Sequence, residues 1–230
     1  MALAHSPKII TDGLVLALDA GNTKSYPGSG TTWTDLSGNG NTGTLVNGVG
    51  FDGGNGGSLS FDGVNDYITL GENSFISTDF TYEVWFDLTA TTKERYLISL
   101  GYDNASSFLC FVIDREQQQN AINFIFRDSN NVNTTYYWNS NLSSGTKYHL
   151  CLTRSGSSNI AYLNGVQAFT FTDGTPIGEN LKYEIGWATD RNKTTAYHEG
   201  NIYETRLYNR ALTASEIQQN FNALRGRFGI

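Results

Sequence analysis

Phe80-Thr-Tyr-Glu-Val-Trp-Phe-Asp-Leu88 is the stretch that decides the fold. In an extended chain Phe80, Tyr82, Val84, Phe86 and Leu88 fall on one side, and Thr81, Glu83, Trp85 and Asp87 on the other. A period of two marks a strand with one face in a core. Trp85 reads as a further core residue, and Glu83 and Asp87 as part of a solvated strand face.

Comparable runs spread outward in both directions, near residues 13–19, 57–62, 66–70, 95–101, 107–114, 120–128, 134–139, 147–154, 159–164, 166–172, 181–187 and 200–208. Many short strands with regular turn signals predict an all-β sandwich or barrel, not alternating βαβ units. Asn164-Gly165, between Ala161-Tyr-Leu and Val166-Gln-Ala-Phe, predicts a hairpin, because a type I′ turn needs positive φ at both central residues. Asp12-Gly13, Asn47-Gly48, Asp52-Gly53, Asp62-Gly63 and Asp173-Gly174 punctuate other connections. Residues 20–57, crowded with Gly, Asn, Ser and Thr, read as a loop system within the domain, yet Trp33 and Leu45-Val46 there need burial.

One helix is predicted, over 213–225. Thr213-Ala-Ser-Glu216 has the form of a capping box, Leu212 and Ile217 can staple it, and Ile217, Phe221 and Leu224 form an apolar stripe. Gly226 is the expected stop. Residues 1–12 read as an N-terminal arm. Neither an internal repeat nor a compositional boundary divides the chain, so a single domain over 1–230 is expected.

A formal net charge of -7 argues against nucleic acid, whose binding depends on Lys and Arg neutralising phosphates. Apolar runs such as Phe108–Ile113 fall far short of the roughly 20 residues that span a bilayer, so no membrane insertion is expected. Met1-Ala-Leu-Ala-His-Ser-Pro-Lys8 lacks the basic and apolar regions of a secretion signal. Cys110 and Cys151 sit in mid-strand and read as free thiols acting as small core residues. Asn-x-Ser/Thr sequons start at Asn104, Asn133, Asn141 and Asn192, a chance yield of an Asn-, Ser- and Thr-rich chain.

Three segments, in order, carry a family resemblance. Ser58-Leu-Ser-Phe-Asp-Gly-Val-Asn-Asp-Tyr-Ile68 precedes Asp79-Phe-Thr-Tyr-Glu-Val-Trp85; Lys147-Tyr-His-Leu-Cys-Leu-Thr-Arg154 precedes Ala161-Tyr-Leu-Asn-Gly165; Gly200-Asn-Ile-Tyr-Glu-Thr-Arg-Leu-Tyr-Asn-Arg-Ala-Leu212 runs into Ser215-Glu-Ile217. Together they resemble the laminin-G-like domains of the concanavalin-A-like lectin/glucanase superfamily. The resemblance implies a two-sheet antiparallel jelly-roll sandwich. Gly13-Leu-Val-Leu-Ala-Leu-Asp-Ala-Gly-Asn22 and Trp33-Thr-Asp-Leu-Ser-Gly-Asn-Gly40 also resemble tailed-bacteriophage proteins. That implies a chain made in the host cytoplasm and displayed on the virion beside other virion proteins.

The superfamily includes glycoside hydrolases, so catalytic residues must be looked for. Retaining enzymes need two carboxylates about 5 Å apart, and laminarinase-like members carry them as Glu-x-Asp-x-x-Glu on one strand. No such pattern occurs. Glu83 and Asp87 share a face but lie about 13 Å apart along a strand. His5, His149 and His198 are scattered, and His149 reads as a packed or hydrogen-bonded residue. No catalytic residue, cofactor or metal is assigned. Asp62, Asn65 and Asp66 form an oxygen-rich turn that could offer calcium ligands, but turn-making and amide capping explain them as well. Related folds often begin the last strand with a calcium-ligating Asp. Tyr203 stands there instead, next to Glu204.

Sugar binding needs exposed rings beside polar groups. The candidates are Tyr136, Tyr137 and Trp138, and Trp187 followed by Asp190, Arg191 and Asn192. With 13 Tyr, 13 Phe and 4 Trp in the chain, core packing is the competing explanation. The resulting expectation is a non-enzymatic structural or adhesive protein of a phage particle that contacts cell-surface glycans. A bacterial carbohydrate-binding module is the alternative, and a glycoside hydrolase the third.

Overall fold

The computed structural model of the chain describes residues 7–73, 78–89, 94–101, 108–113, 121–128, 130, 132–178, 181–188 and 196–230. Its strands are β1 (Leu14–Asp19), β2 (Thr32–Trp33), β3 (Gly43–Val46), β4 (Gly50–Asp52), β5 (Ser58–Asp62), β6 (Tyr67–Asn73), β7 (Phe80–Phe86) and β8 (Arg95–Leu100). They continue with β9 (Phe108–Ile113), β10 (Ala121–Arg127), β11 (Asn133–Asn139), β12 (Tyr148–Ser155), β13 (Ser158–Leu163), β14 (Val166–Thr172), β15 (Leu181–Ile185) and β16 (Glu199–Tyr208). Helix α1 (Ala214–Phe228) follows.

Two antiparallel sheets result. The first runs β14-β13-β12-β7-β16-β5-β4, and β1 continues β5's side of β16: Glu199–Ile202 pair with β5, Glu204–Tyr208 with β1. The second runs β11-β10-β9-β8-β15-β6-β3-β2. The sheets close on one apolar core. β7 supplies Phe80, Tyr82, Val84 and Phe86, β9 supplies Leu109, Phe111 and Ile113, and β10 supplies Ile122, Phe124 and Phe126. Those are the alternate positions of each strand, as a period of two requires. The expected jelly-roll sandwich is the fold.

Residues 20–57 prove less loose than their composition suggests. They contribute β2 and β3 to one sheet and β4 to the other, and Trp33, Leu45 and Tyr26 are buried. Strands of two to four residues are too short to show a period. One carboxylate holds the segment down. Asp35 accepts hydrogen bonds from the amides of Ala17 (2.8 Å), Ser37 (2.9 Å) and Asn41 (3.0 Å), and from the Ser37 hydroxyl (2.6 Å). The hairpin between β13 and β14 turns at Asn164 (φ 52°) and Gly165 (φ 75°) as expected. A Cβ at position 165 would also lie 2.9 Å from the Phe221 ring, so glycine serves packing as well as turn geometry.

Helix α1 begins as predicted and ends later. Thr213 Oγ1 accepts from the Glu216 amide (3.3 Å), and Glu216 Oε2 accepts from the Thr213 amide (2.8 Å), completing the capping box. The helix runs through Gly226 to Phe228, and Gly229 caps it in the left-handed conformation. The last turn is held by tertiary contacts: Arg227 donates to both carboxylate oxygens of Asp19 (2.9 and 2.7 Å), and Phe228 packs on Trp85. The N-terminal arm lies against the same helix, with the Ile10 amide donating to Asn220 Oδ1 (2.8 Å). Thr213→Ala is expected to lower stability by about 1 kcal/mol, the usual cost of a lost N-cap. Urea unfolding measures it, and an unchanged midpoint would show the cap to be redundant. Among the described residues no helix is long and apolar enough to cross a membrane.

Candidate functional site

The outward side of β7 is not solvated. All four of Thr81, Glu83, Trp85 and Asp87 are buried. Helix α1 lies over Glu83 and Trp85, the segment Arg210–Leu212 holds Thr81, and Asn201 and Tyr203 of β16 hold Asp87. Trp85 stacks parallel to Phe221 (5.6 Å between centroids, 4° between planes), with Phe228 at 4.5 Å. Glu83 accepts from Asn220 Nδ2 at 3.1 Å to each oxygen and lies 3.5 Å from the Arg206 guanidinium, which also pairs with Glu204. Burial raises the carboxyls of Glu83 and Glu204 against the pull of Arg206, Glu204 to about 7. Asp87 accepts from the Asn201 amide (2.9 Å) and from the Tyr203 hydroxyl (2.6 Å). Tyr203, standing where related folds carry an acid, is thus a phenol that caps Asp87. The expectation of a solvated face fails because segments distant in sequence cover it, an amphipathic helix over Glu83 and Trp85 and side chains of β16 over Asp87. Glu83 and Asp87 are sealed from substrate.

His149 is packed, not poised. Its ring lies 4.9 Å from Trp85 and 5.8 Å from Phe221, and neither ring nitrogen has a hydrogen-bond partner. Burial, reinforced by Arg206, pushes its pKa down to about 3, so the imidazole is neutral. His5 lies outside the described residues. Cys110 and Cys151 are buried and form no disulfide among the described residues.

In the Asp62 turn, Asp62 Oδ1 accepts from the amides of Val64 (2.8 Å) and Asn65 (3.5 Å), and Asp66 Oδ2 accepts from the Asp62 amide (3.1 Å). These carboxylates cap amides. Among the described residues no group of three or more His, Cys, Asp or Glu side chains is placed to hold a metal ion.

The outward face of the second sheet is different in character. Alternation turns Tyr136 and Trp138 of β11 inward against the core, where Tyr136 stacks on Phe171 (4.2 Å) and Trp138 on Phe169 (6.1 Å). Only Tyr137 of that run points out, 40% exposed. Trp187, just beyond β15, is half-buried and forms a cluster of rings. It stacks on Tyr197 (5.4 Å, 10° between planes), meets Tyr67 of β6 at 5.1 Å, and has the Lys182 ammonium 5.9 Å from its centroid. Its Nε1 has no acceptor. Asp190, Arg191 and Asn192 lie outside the described residues.

Between the ring cluster and Tyr137 the same face carries Glu184, Ser99 and Asn123. Glu184 is opposite Ser99, and Asn123 is opposite Tyr137. The Ser99 hydroxyl and both polar atoms of the Asn123 amide are buried without a hydrogen-bond partner. Native interiors rarely leave such groups unmet. β15 and β11 are four strand spacings apart, roughly 19 Å, and the face between them is covered. Glu184, Ser99 and Asn123 are fully buried beside a second apolar cluster of Tyr96, Cys110, Val112, Ile125, Ala188 and Ala196. Among the described residues of this face, the rings that reach the surface are the half-buried cluster at the β6–β15 end and Tyr137 at the other. Sequence reasoning found Trp187 and Tyr137 but missed Tyr67 and Tyr197. Tyr67 was legible, since its parity is opposite to that of the inward Ile68 and Leu70. Tyr197 sits in the approach to β16, where no periodicity applies.

Known proteins carry the same fold. Domain 4 of AbnA, a GH43 extracellular arabinanase from Geobacillus stearothermophilus solved in complex with arabinotriose, superposes with a TM-score of 0.69 at 19% identity, over 90% of this chain and 97% of that one. The binding domain of Paraclostridial Mosquitocidal Protein 1 gives 0.71 at 18% identity, over 93% of this chain and 52% of that one. A Trypanosoma rangeli sialidase in complex with sialic acid gives 0.67 at 15% identity, over 97% of this chain but only 36% of the sialidase. The chain thus spans about half of the toxin domain and about a third of the sialidase. No curated protein matches the sequence. A laminin-G family profile, described as concanavalin A-like lectin/glucanases, matches residues 62–218, well over half of the sequence, and the chain belongs to the concanavalin A-like lectin/glucanases superfamily.

Proposed function

We propose that this chain is a carbohydrate-binding module that holds glycans at the Tyr67–Trp187–Tyr197 end of its second sheet's outward face and turns none over. The observation that carries the reading is the half-buried cluster of Tyr67, Trp187 and Tyr197 beside Lys182. Rings accept the C–H faces of sugars, and directed polar groups fix the hydroxyls. The arabinanase domain solved with arabinotriose supports it by analogy of fold. Burial of Glu83 beneath α1 and of Asp87 against Asn201 and Tyr203 supports binding over hydrolysis.

Affinity electrophoresis through gels containing arabinan, xylan, dextran or sialylated glycoprotein tests the proposal. At least one polymer should retard the protein, and Trp187→Ala should weaken that retention at least about tenfold, a loss of roughly 1.4 kcal/mol. No retardation by any of the four, or equal retardation of the Trp187→Ala variant, would reject this site.

For the biological setting we favour a bacteriophage particle, on the resemblance of Gly13–Asn22 and Trp33–Gly40 to tailed-phage proteins. Display in many copies would multiply weak single-site contacts. A mass-spectrometric inventory of purified particles decides it, and absence from them would place the module in a bacterial protein instead.

A further inference from the structure

Helix α1 covers only part of the first sheet's outward face. Past its first turn, the corner formed by β12, β13 and β14 is open and holds a cavity of about 390 Å³, within the range of small-molecule sites. Register explains the lining. Thr153 lies opposite Ile160, Ser155 opposite Ser158, and Tyr162 opposite Gln167, so all six project to the same side. The segment Ala211–Ala214, entering the helix, forms the remaining wall.

The chemistry of this lining is consistent. Ile160, Leu212 and the Tyr162 ring give it an apolar floor. Thr153 is already engaged, with Thr81 Oγ1 at 3.2 Å. The side chains of Ser155, Ser158 and Gln167 and the Tyr162 hydroxyl make no hydrogen bond among the described residues. No Asp, Glu, Lys, Arg or His lines the cavity, so a charged ligand would lose hydration and gain no ionic partner. A peptide has no ladder to join at the floor, because β12 and β13 are paired along both edges. What fits is a neutral molecule with hydroxyls around a compact apolar body.

We propose that this cavity is a second binding site, which takes one neutral sugar residue on the opposite side of the sandwich from Trp187. It is independent of the reading given above and can stand or fall alone.

Amide-resolved NMR titration with methyl α-D-glucopyranoside, methyl β-D-galactopyranoside, methyl α-L-arabinofuranoside and methyl β-D-glucuronide tests it. At least one neutral glycoside should shift the amides of residues 153–162, 167 and 211–214 saturably at millimolar concentration. The charged glucuronide should bind more weakly. Ile160→Trp, which fills the cavity, and Gln167→Ala, an exposed change that leaves the fold alone, should each weaken binding at least about tenfold. Trp187→Ala should leave it unchanged. Absence of saturable shifts here with every neutral glycoside would overturn the site, as would shifts that survive both cavity variants or vanish with Trp187→Ala. A glucuronide that binds as well as its neutral counterparts would overturn the ligand class.

Discussion

Arg206→Met should cost on the order of 3–5 kcal/mol at pH 8, the usual penalty for stranding a buried charge, and much less at pH 5. Arg206 is buried between Glu83 and Glu204, and all three face the helix that closes over them. With the guanidinium gone, two carboxylates would share an apolar site with only Asn220 donating to one of them. The sign follows from linkage. In the native protein burial already raises the Glu204 carboxyl from 4.5 to about 7, and Glu83 shifts the same way. A carboxyl raised on folding contributes stability that is complete below about pH 4.5 and is lost as pH climbs through the folded value. Removing Arg206 raises both carboxyls further, so the variant should lose stability over a wider and higher pH range. Urea unfolding of both proteins at pH 5 and pH 8 measures this. A loss of equal size at the two pH values would show that Arg206 acts through packing and not through charge.

Acid should unfold the protein steeply below about pH 4.5, driven by two neutral histidines. Burial depresses His149 and His198 from 6.5 to about 3. His149 faces Trp85, Phe221 and Arg206, with Glu83 Oε1 at 3.7 Å; His198 sits against Phe61 near Arg95 and Glu199. Each takes up a proton on unfolding below pH 6.5, which removes about 1.4 kcal/mol per pH unit per histidine. Between pH 6.5 and 4.5 the Glu204 carboxyl, raised to about 7, releases its proton on unfolding and opposes this, and Glu83, raised in the same direction, adds to the opposition. Below about 4.5 that opposition ends. Glu216, which Arg210 holds down to about 2, adds to the acid loss. Stability should therefore fall less steeply from pH 6.5 to 4.5 than it does below 4.5. His149→Asn should flatten the acid limb by about 1.4 kcal/mol per pH unit. An unchanged limb would mean that the imidazole titrates normally in the folded protein.

Local signals decided much of this molecule. The alternation in Phe80–Phe86, the Asn164-Gly165 turn and the Thr213-Ala-Ser-Glu216 box each depend on residues a few positions apart. Side-chain parity, positive φ and capping are short-range physics, so the strands, the hairpin and the helix start were legible. Parity also implied that Tyr136 and Tyr137 face opposite ways. It could not say which side was the core.

Tertiary structure alone decided what covers each face. Glu83 looks solvated by strand parity, yet Asn220 reaches it from a helix 137 residues later. The helix continues past Gly226 because Arg227 and Phe228 find Asp19 and Trp85, and helix propensity does not encode that contact. Tyr67, Trp187 and Tyr197 become one cluster only when β6 pairs with β15 and the chain entering β16 folds beside them. A period of two assigns residues to sides; burial of a side depends on which distant segment packs there, and that is set by the closure of the whole sandwich.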